Sequence, residues 1–329
     1  MFGWDDLKRT IAISEQSVEC PVNACQHVVA RQRGDFMRRG QFQCPEHRIF
    51  ISPSTFEYEH ERDNMLWSSP EDLALWKHIQ APGSRRDRRL ARDNSVDAVT
   101  WNVFRYLETR GRLGSFVDRV YGAKVAEAPQ LIWWSCCGES RGAWKPLLDA
   151  ARAFGEDADR GSAPDLIIDD KKVLVFVESG LTGEDAAGPA EASQALGYER
   201  GCGRWYRKVF AVGSTYQVVA MQERLHELMR LWLIGSWIAD SMGKSFVLVN
   251  LVRAEAERDI EERFGQHIIS GDNRRFVRWT WELIQVLTVQ ERAGDADADK
   301  LLEFFGSKTL GYQTREGATH GELRRAFAR

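Results

Sequence analysis

The 329-residue chain predicts an α/β fold, a mixed central sheet with helices on both faces, joined to a small cysteine-bearing module at its N-terminus. Three observations carry this. Short apolar runs of strand length alternate with longer stretches whose apolar residues recur at helical spacing. The run "SFVLVNLV" is almost continuously apolar, as a strand buried on both faces must be. Finally, cysteine and histidine fall in two closely spaced pairs near the start of the chain.

Hydrophobic residues make up 43% and charged residues 28%, the balance of a chain that buries an ordinary globular core. The net charge of −3 excludes a polycation, so contact with nucleic acid has to come from local basic patches. Six cysteines without regular spacing fit thiols or metal ligands better than a disulfide framework, which predicts a reducing, cytoplasmic setting. "MFGWDDLKRTIAISEQ" lacks a signal-peptide pattern. "LMRLWLIGSWIADSMG" is too short to cross a membrane and carries Arg230 and Asp240.

Residues 1–60 are turn-rich and read as a zinc-ribbon-like module. Cys20 and Cys25 form a C-x4-C pair, and Cys44 with His47 a C-x2-H pair, each beside a proline that favours a knuckle. Together they supply three thiolates and one imidazole to a structural Zn²⁺, with His27 as the rival fourth ligand. The alternative is a set of small buried cysteines beside a surface histidine. Residues 61–94 read as a linker with Pro82, Gly83 and Ser84, followed by the arginine-dense "RRDRRLAR".

The main domain is expected over 95–329. Val96, Val99, Val103, Phe104 and Leu107 make one helical face, capped by Asn94 or Ser95. "QLIWWSCC" reads as a strand, and "AWKPLLDAARAF" as a helix ended by Gly155. "PDLIIDDKKVLVFVESG" reads as two strands joined at a polar turn. After a Gly/Ala-rich link, helix is expected from about Ala190 to Met242, then the "SFVLVNLV" strand, helices over "DNRRFVRWTWELIQVLTVQE" and "DKLLEFFG", and a polar tail.

Asp165 opens the first strand of that pair and Glu178 closes the second. Strand alternation puts Phe176, Glu178, Gly180 and Thr182 on one face, and Asp165 can approach Glu178 across the pair. A charge at the end of so apolar a strand is costly unless paired or metal-bound. Two such carboxylates suit Mg²⁺ or Mn²⁺, an ion able to generate a hydroxide nucleophile beside a phosphate; the alternative is two solvated strand-end acids.

With "PDLIID" and "VFVES" in hand, the chain resembles the PD-(D/E)XK nuclease superfamily, which includes many restriction endonucleases and RecB-type nucleases. The resemblance implies a restriction-endonuclease-like sheet with the strand pair between a leading and a following helix, and metal at Asp165 and Glu178. Asp97, or Glu108, of the leading helix would complete the site; a helix-start acid favoured by the dipole is the other explanation of Asp97. "QALGY" places Gln194 and Tyr198 four apart, like the Q-x3-Y element of RecB-type nucleases. The chain departs from the pattern where a catalytic lysine is expected, because that position is Gly180. Lys171 and Lys172 belong to the far turn, so Arg204 or Lys208 is the candidate replacement.

Arg204, Trp205, Arg207 and Lys208 mix cations with aromatic rings, as nucleic-acid contact requires, although a solvated helix face has the same composition. Trp279 and Trp281 suit a core or interface better. No hydrolase nucleophile motif, phosphate loop or H-E-x-x-H pair is present. Two expectations result. One is a Mg²⁺-dependent endodeoxyribonuclease of the restriction or phage-defence sort, acting on double-stranded DNA, with a homodimer as the arrangement that would supply one site for each strand. The other is a degenerate nuclease fold that binds nucleic acid or scaffolds a complex without cutting.

Overall fold

The computed structural model describes residues 1–80, 89–125, 128–136, 144–156, 163–181, 192–315, 317 and 319–327. The linker residues Pro82, Gly83 and Ser84, the start of the arginine-dense run, Thr182 and most of the Gly/Ala-rich link lie outside them. The chain forms two compact units: Met1–Leu73, Arg86–Tyr106 and Glu282–Arg329 make the first, Ala74–Arg85 and Leu107–Trp281 the second. Thus the N-terminal segment shares a unit with the C-terminal one rather than standing as a separate module. Among the described residues, no helix is long and apolar enough to cross a membrane.

The first unit begins with short strands β1 (Thr10–Ala12), β2 (Ser17–Glu19), β3 (Val28–Ala30), β4 (Phe50–Ile51) and β5 (Phe56–Glu57). β2 with β3 and β4 with β5 form two antiparallel ladders. Their apolar side chains, among them Val18, Val29, Ile51 and Phe56, pack around the cysteines. Helix α1 (Pro70–Ile79) lies within the expected 61–94 linker. Part of that segment is built into the unit, because fully buried Asn64 donates to the carbonyls of Leu90 and Arg92, each at 2.7 Å. Helix α2 (Val96–Thr109) starts where expected, and Ser95 Oγ accepts the Ala98 N–H at 3.1 Å as its cap.

The second unit continues with α3 (Leu113–Tyr121), β6 (Gln130–Trp133), α4 (Lys145–Ala153), β7 (Leu166–Asp169) and β8 (Val173–Ser179). Helices α5 (Ala195–Arg204) and α6 (Tyr206–Val209), a π-helical turn at Gln217–Gln222 and α7 (His226–Ser241) lead to β9 (Ser245–Val252), α8 (Ile260–Gly265) and β10 (Arg274–Thr280). The expected long helix is therefore broken. Gly201, Cys202 and Gly203 leave the helical region, the last two at positive φ. Two glycines so close together cost too much backbone entropy to hold a helix unaided.

The sheet order is β10-β9-β8-β7-β6, with β6, β7 and β8 antiparallel and β9 and β10 parallel to β8. Each parallel pairing needs a crossover, supplied by the α5–α7 run and by α8. The sheet is mixed and flanked by helices, as expected. β8 is central, and only Glu178 along it escapes full burial. Leu174, Phe176 and Leu248 pack with α4, α5 and α7 residues, while Phe116 of α3 meets Trp279 edge-on at 5.3 Å. α7 lies close enough to the sheet that a Cβ at Gly235 would fall 2.1 Å from Phe246 Cζ.

Two expected elements are corrected. "RRFVRWT" is strand β10, not helix: Phe276 meets Phe264 at 4.8 Å while Trp279 turns to Phe116, the opposite-face alternation of a strand. Helix α9 (Trp281–Glu291) begins only after it, followed by α10 (Ala296–Ser307). The expected polar tail instead forms β11 (Thr309–Gln313) and β12 (His320–Arg325), in a sheet of order β1-β12-β11. Gly321 and Leu323 are buried while His320 and Glu322 face outward, so a half-polar composition conceals a strand.

Candidate metal centre and strand-end acids

The knuckles of the first unit bring Cys20, Cys25, Cys44 and His47 together, with all four ligand atoms within 4.8 Å of one another. Cys25 Sγ lies 3.8 Å from Cys44 Sγ, and His47 Nδ1 lies 3.6 Å from Cys44 Sγ and 3.8 Å from Cys20 Sγ. A tetrahedral ion with metal–sulfur bonds near 2.3 Å requires about 3.8 Å between sulfurs and about 3.6 Å from sulfur to nitrogen. The donor set fits a metal ion. The loops are shaped for it: Cys25 N–H returns to Val22 O, Arg48 N–H returns to Cys44 O, and Ala24 and Arg48 adopt positive φ. Burial pushes the Cys20 and Cys25 thiols up. His27 is outside the group. Its half-exposed ring lies 3.6 Å from Glu46 Oε2, and that same carboxylate oxygen is 3.4 Å from Cys25 Sγ.

In the second unit the β7–β8 ladder ends at the pair Leu166–Val177, and Asp165 and Glu178 are the next residues beyond it on the two chain segments. Asp165 is 3% exposed and its carboxylate is held on both sides. Oδ2 accepts the Ser179 N–H at 2.8 Å and the Ser179 hydroxyl, and Oδ1 accepts the Trp134 indole N–H at 3.2 Å. Glu178 is half-buried and pairs in register with Asn250 of β9. Asn250, 5% exposed, donates to Glu257 Oε2 at 2.5 Å. A polar pair therefore spans β8 and β9, with Asp165 just before the start of β7. Asn250 escaped the sequence reading, although a lone amide within "SFVLVNLV" is a signal.

The Gly180 position is tight. Its N–H bonds Leu251 O at 2.8 Å, its carbonyl accepts the Trp281 indole at 3.0 Å, and an added Cβ would lie 3.3 Å from Val252 Cγ1. Lys171 and Lys172 occupy the β7–β8 turn, at the opposite end of β8 from Glu178. Nearer by is Arg253, whose Nε donates to Leu181 O at 2.5 Å.

Gln194 and Tyr198 meet through Tyr216, whose hydroxyl donates to Gln194 Oε1 at 3.3 Å and whose ring stacks on Tyr198. Tyr198 is buried, and its hydroxyl donates to Glu156 Oε1 at 2.6 Å. Arg230 clamps the same Glu156 with two bonds of 2.7 and 2.6 Å. That buried pair was invisible in the sequence because its members are 74 residues apart. Asp97 lies in the other unit, 3% exposed in the first turn of α2, whereas Glu108 belongs to the second unit. Arg204, Arg207 and Lys208 are exposed, but Trp205 is a core residue with the Lys208 ammonium 4.3 Å from its ring centre. Its indole is committed to packing rather than presented for base stacking, a correction to the expected patch.

Among the described residues, the cysteine–histidine cluster is the group of three or more Cys, His, Asp or Glu residues placed to hold a metal ion. Comparison of the chain with family models, curated proteins and solved structures finds no match.

Proposed function

We propose that the second unit is a metal-dependent nuclease related to the PD-(D/E)XK superfamily, and that Zn²⁺ occupies the cysteine–histidine cluster as a structural ion. The observation that carries the nuclease reading is that Asp165 and Glu178 follow directly on the last ladder pair, Leu166–Val177, at one end of a buried hairpin. The mixed sheet with helices between β8 and β9 agrees with the expected fold. A Mg²⁺ or Mn²⁺ ion supplies an acidified water and charge neutralisation at a phosphodiester. Glu178 and Asp165 offer it carboxylate oxygens, and the Ser179 and Trp134 donors fix the orientation of Asp165. DNA is the proposed substrate, with the exposed cations Arg204, Arg207 and Lys208 as phosphate contacts.

A second reading, a nuclease fold that binds nucleic acid without cutting, is favoured by two observations. Both Asp165 oxygens already accept bonds from the chain, and Gly180 brings no cation. Plasmid DNA incubated with Mg²⁺ or Mn²⁺ separates the two. Nicking by the native chain that disappears in Glu178→Gln supports the nuclease. Retardation in a gel without cleavage under either ion supports the second reading.

A further inference from the structure

The two loops that carry the cysteine–histidine cluster also carry two metal-binding side chains that are not part of it. His27 extends the β2–β3 ladder, its carbonyl accepting the Cys20 N–H at 2.9 Å. Glu46 sits within the second knuckle, between Cys44 and His47. Its Oε2 lies 3.4 Å from Cys25 Sγ and 3.6 Å from His27 Nε2, and its Oε1 lies 3.9 Å from His47 Nε2. Glu46 therefore reaches two of the four cluster ligands from outside. Cys20 and Cys44 are 0% exposed within the apolar core of the unit, and the Phe2 ring stands edge-on to His47 at 5.7 Å. The Glu46 and His27 side chains are 55% and 49% exposed, so they mark the solvent side of the cluster. Arg48, the next cation along the knuckle, is held by Glu59, and among the described residues no lysine or arginine pairs with Glu46.

We propose that Glu46 and His27 form an entry and exit step for a divalent metal ion, passing it between solvent and Cys25 at the edge of the cluster. The inference rests on the cluster being a metal centre, as proposed above, and is independent of the nuclease reading. One ion with bonds near 2.0–2.1 Å to nitrogen and oxygen and near 2.3 Å to sulfur needs about 3.4 Å between N and O and about 3.6 Å between S and O. The Glu46 oxygen meets both spacings to within about 0.2 Å, one with His27 and the other with Cys25. An arriving hydrated ion gives up waters to the imidazole and the carboxylate. It then takes the Cys25 sulfur as that thiol releases its proton to the buffer. Cys20, Cys44 and His47 displace Glu46 and His27, the two cysteines releasing their protons likewise, and exit is the reverse. Two donors hold an ion far more weakly than three thiolates and an imidazole do, so the pair hands the ion on rather than keeping it. Because the same pair serves both directions, it sets rates and leaves the equilibrium affinity as it is.

The test follows zinc leaving the full chain, purified with its metal. Elemental analysis gives the metal content, and the colorimetric chelator 4-(2-pyridylazo)resorcinol reads the rate of transfer. Competition with the same chelator at equilibrium reads the affinity. Glu46→Gln and His27→Ala should each keep one ion per chain and release it about tenfold more slowly, the size of effect that residues around a metal site have, with affinity changed less than about threefold. Glu262→Gln, at an exposed acid of the other unit, should release at the native rate. A merely structural contact behaves in the opposite way, because its loss loosens the knuckle, weakens affinity and speeds release. Release at the native or a faster rate in either variant overturns the proposal, as does slowing matched by an equal gain in affinity. Loss of stoichiometric metal in either variant also overturns it, since that residue would then be a ligand. A native chain that holds no stoichiometric metal refutes the metal centre itself, whereas bound metal with unslowed release overturns the transfer step alone.

Discussion

Asp165→Asn tests how the strand-end acid is held. The native carboxylate accepts Ser179 N–H and Oγ–H on one oxygen and the Trp134 indole on the other. Asparagine keeps one oxygen. If that oxygen stays with Ser179, the buried indole N–H faces an NH₂ and loses its acceptor, at about 1–3 kcal/mol. The surviving bonds also fall from charge-assisted to neutral, which halves their strength. Together these give a destabilisation of about 2–4 kcal/mol. Ser179→Ala removes only the hydroxyl and should cost about 1 kcal/mol, since its N–H still bonds Asp165. The two changes share one carboxylate, so the double variant should be less destabilised than their sum. Urea denaturation followed by tryptophan fluorescence gives the three values. An Asp165→Asn chain within about 0.5 kcal/mol of the native one, the range of ordinary surface substitutions, would refute the clasp.

Four other outcomes are expected. Cys44→Ser should abolish stoichiometric metal in dialysed protein while His27→Ala keeps it, and metal should be lost as pH falls because protons compete for the thiolates. Glu156→Gln should cost about 3–5 kcal/mol in denaturation, because it leaves the guanidinium of Arg230, 3% exposed, without its carboxylate. Burial lowers the pKa of Lys308 despite the nearby Asp93, so between that lowered folded value and 10.5 the unfolded chain binds more protons and stability rises with pH. Lys308→Met should flatten this alkaline rise in denaturation curves measured across that range. Gly180→Lys places a cation where the nuclease reading expects one, against one close contact, Val252 Cγ1, and should raise metal-dependent plasmid nicking at least about tenfold over Gly180→Ala; equal rates would remove a cation at this position as a requirement of that reading.

What could be read from the sequence followed its local periodicity. The β6, β7, β8 and β9 strands, the Ser95 cap and the four cluster ligands each carry a signal within a few residues. β10 and β12 did not, for the same reason in two forms. The apolar residues of β10 fall at spacings that serve a helix as well as a strand, and those of β12 are diluted by charge on its outward face. The Glu156–Arg230 clamp depends on residues brought together from distant parts of the chain, which no window of sequence contains.

The polar residues Asp165, Glu178 and Asn250 bear on which reading of the second unit is better founded. Leu174, Phe176, Phe246 and Leu248 are at most 1% exposed and wholly apolar, and two residues beyond them the same strands carry Glu178 and Asn250. A stability-only design would continue the aliphatic ladder, because each polar group placed at this depth has to recover its lost hydration. Asp165 recovers it through Ser179 and Trp134, and Asn250 recovers part of it through Glu257. Local rules are usually broken where a protein works. Yet a clasp that satisfies Asp165 entirely from within the chain is also what would persist after catalysis had been lost. Glu178 separates these cases, since it is the half-buried member of the three and the acid with access to solvent at the end of β8. If Glu178→Gln leaves both metal-dependent nicking and divalent-ion affinity unchanged, the three are structural and cleavage has to be sought elsewhere in the chain.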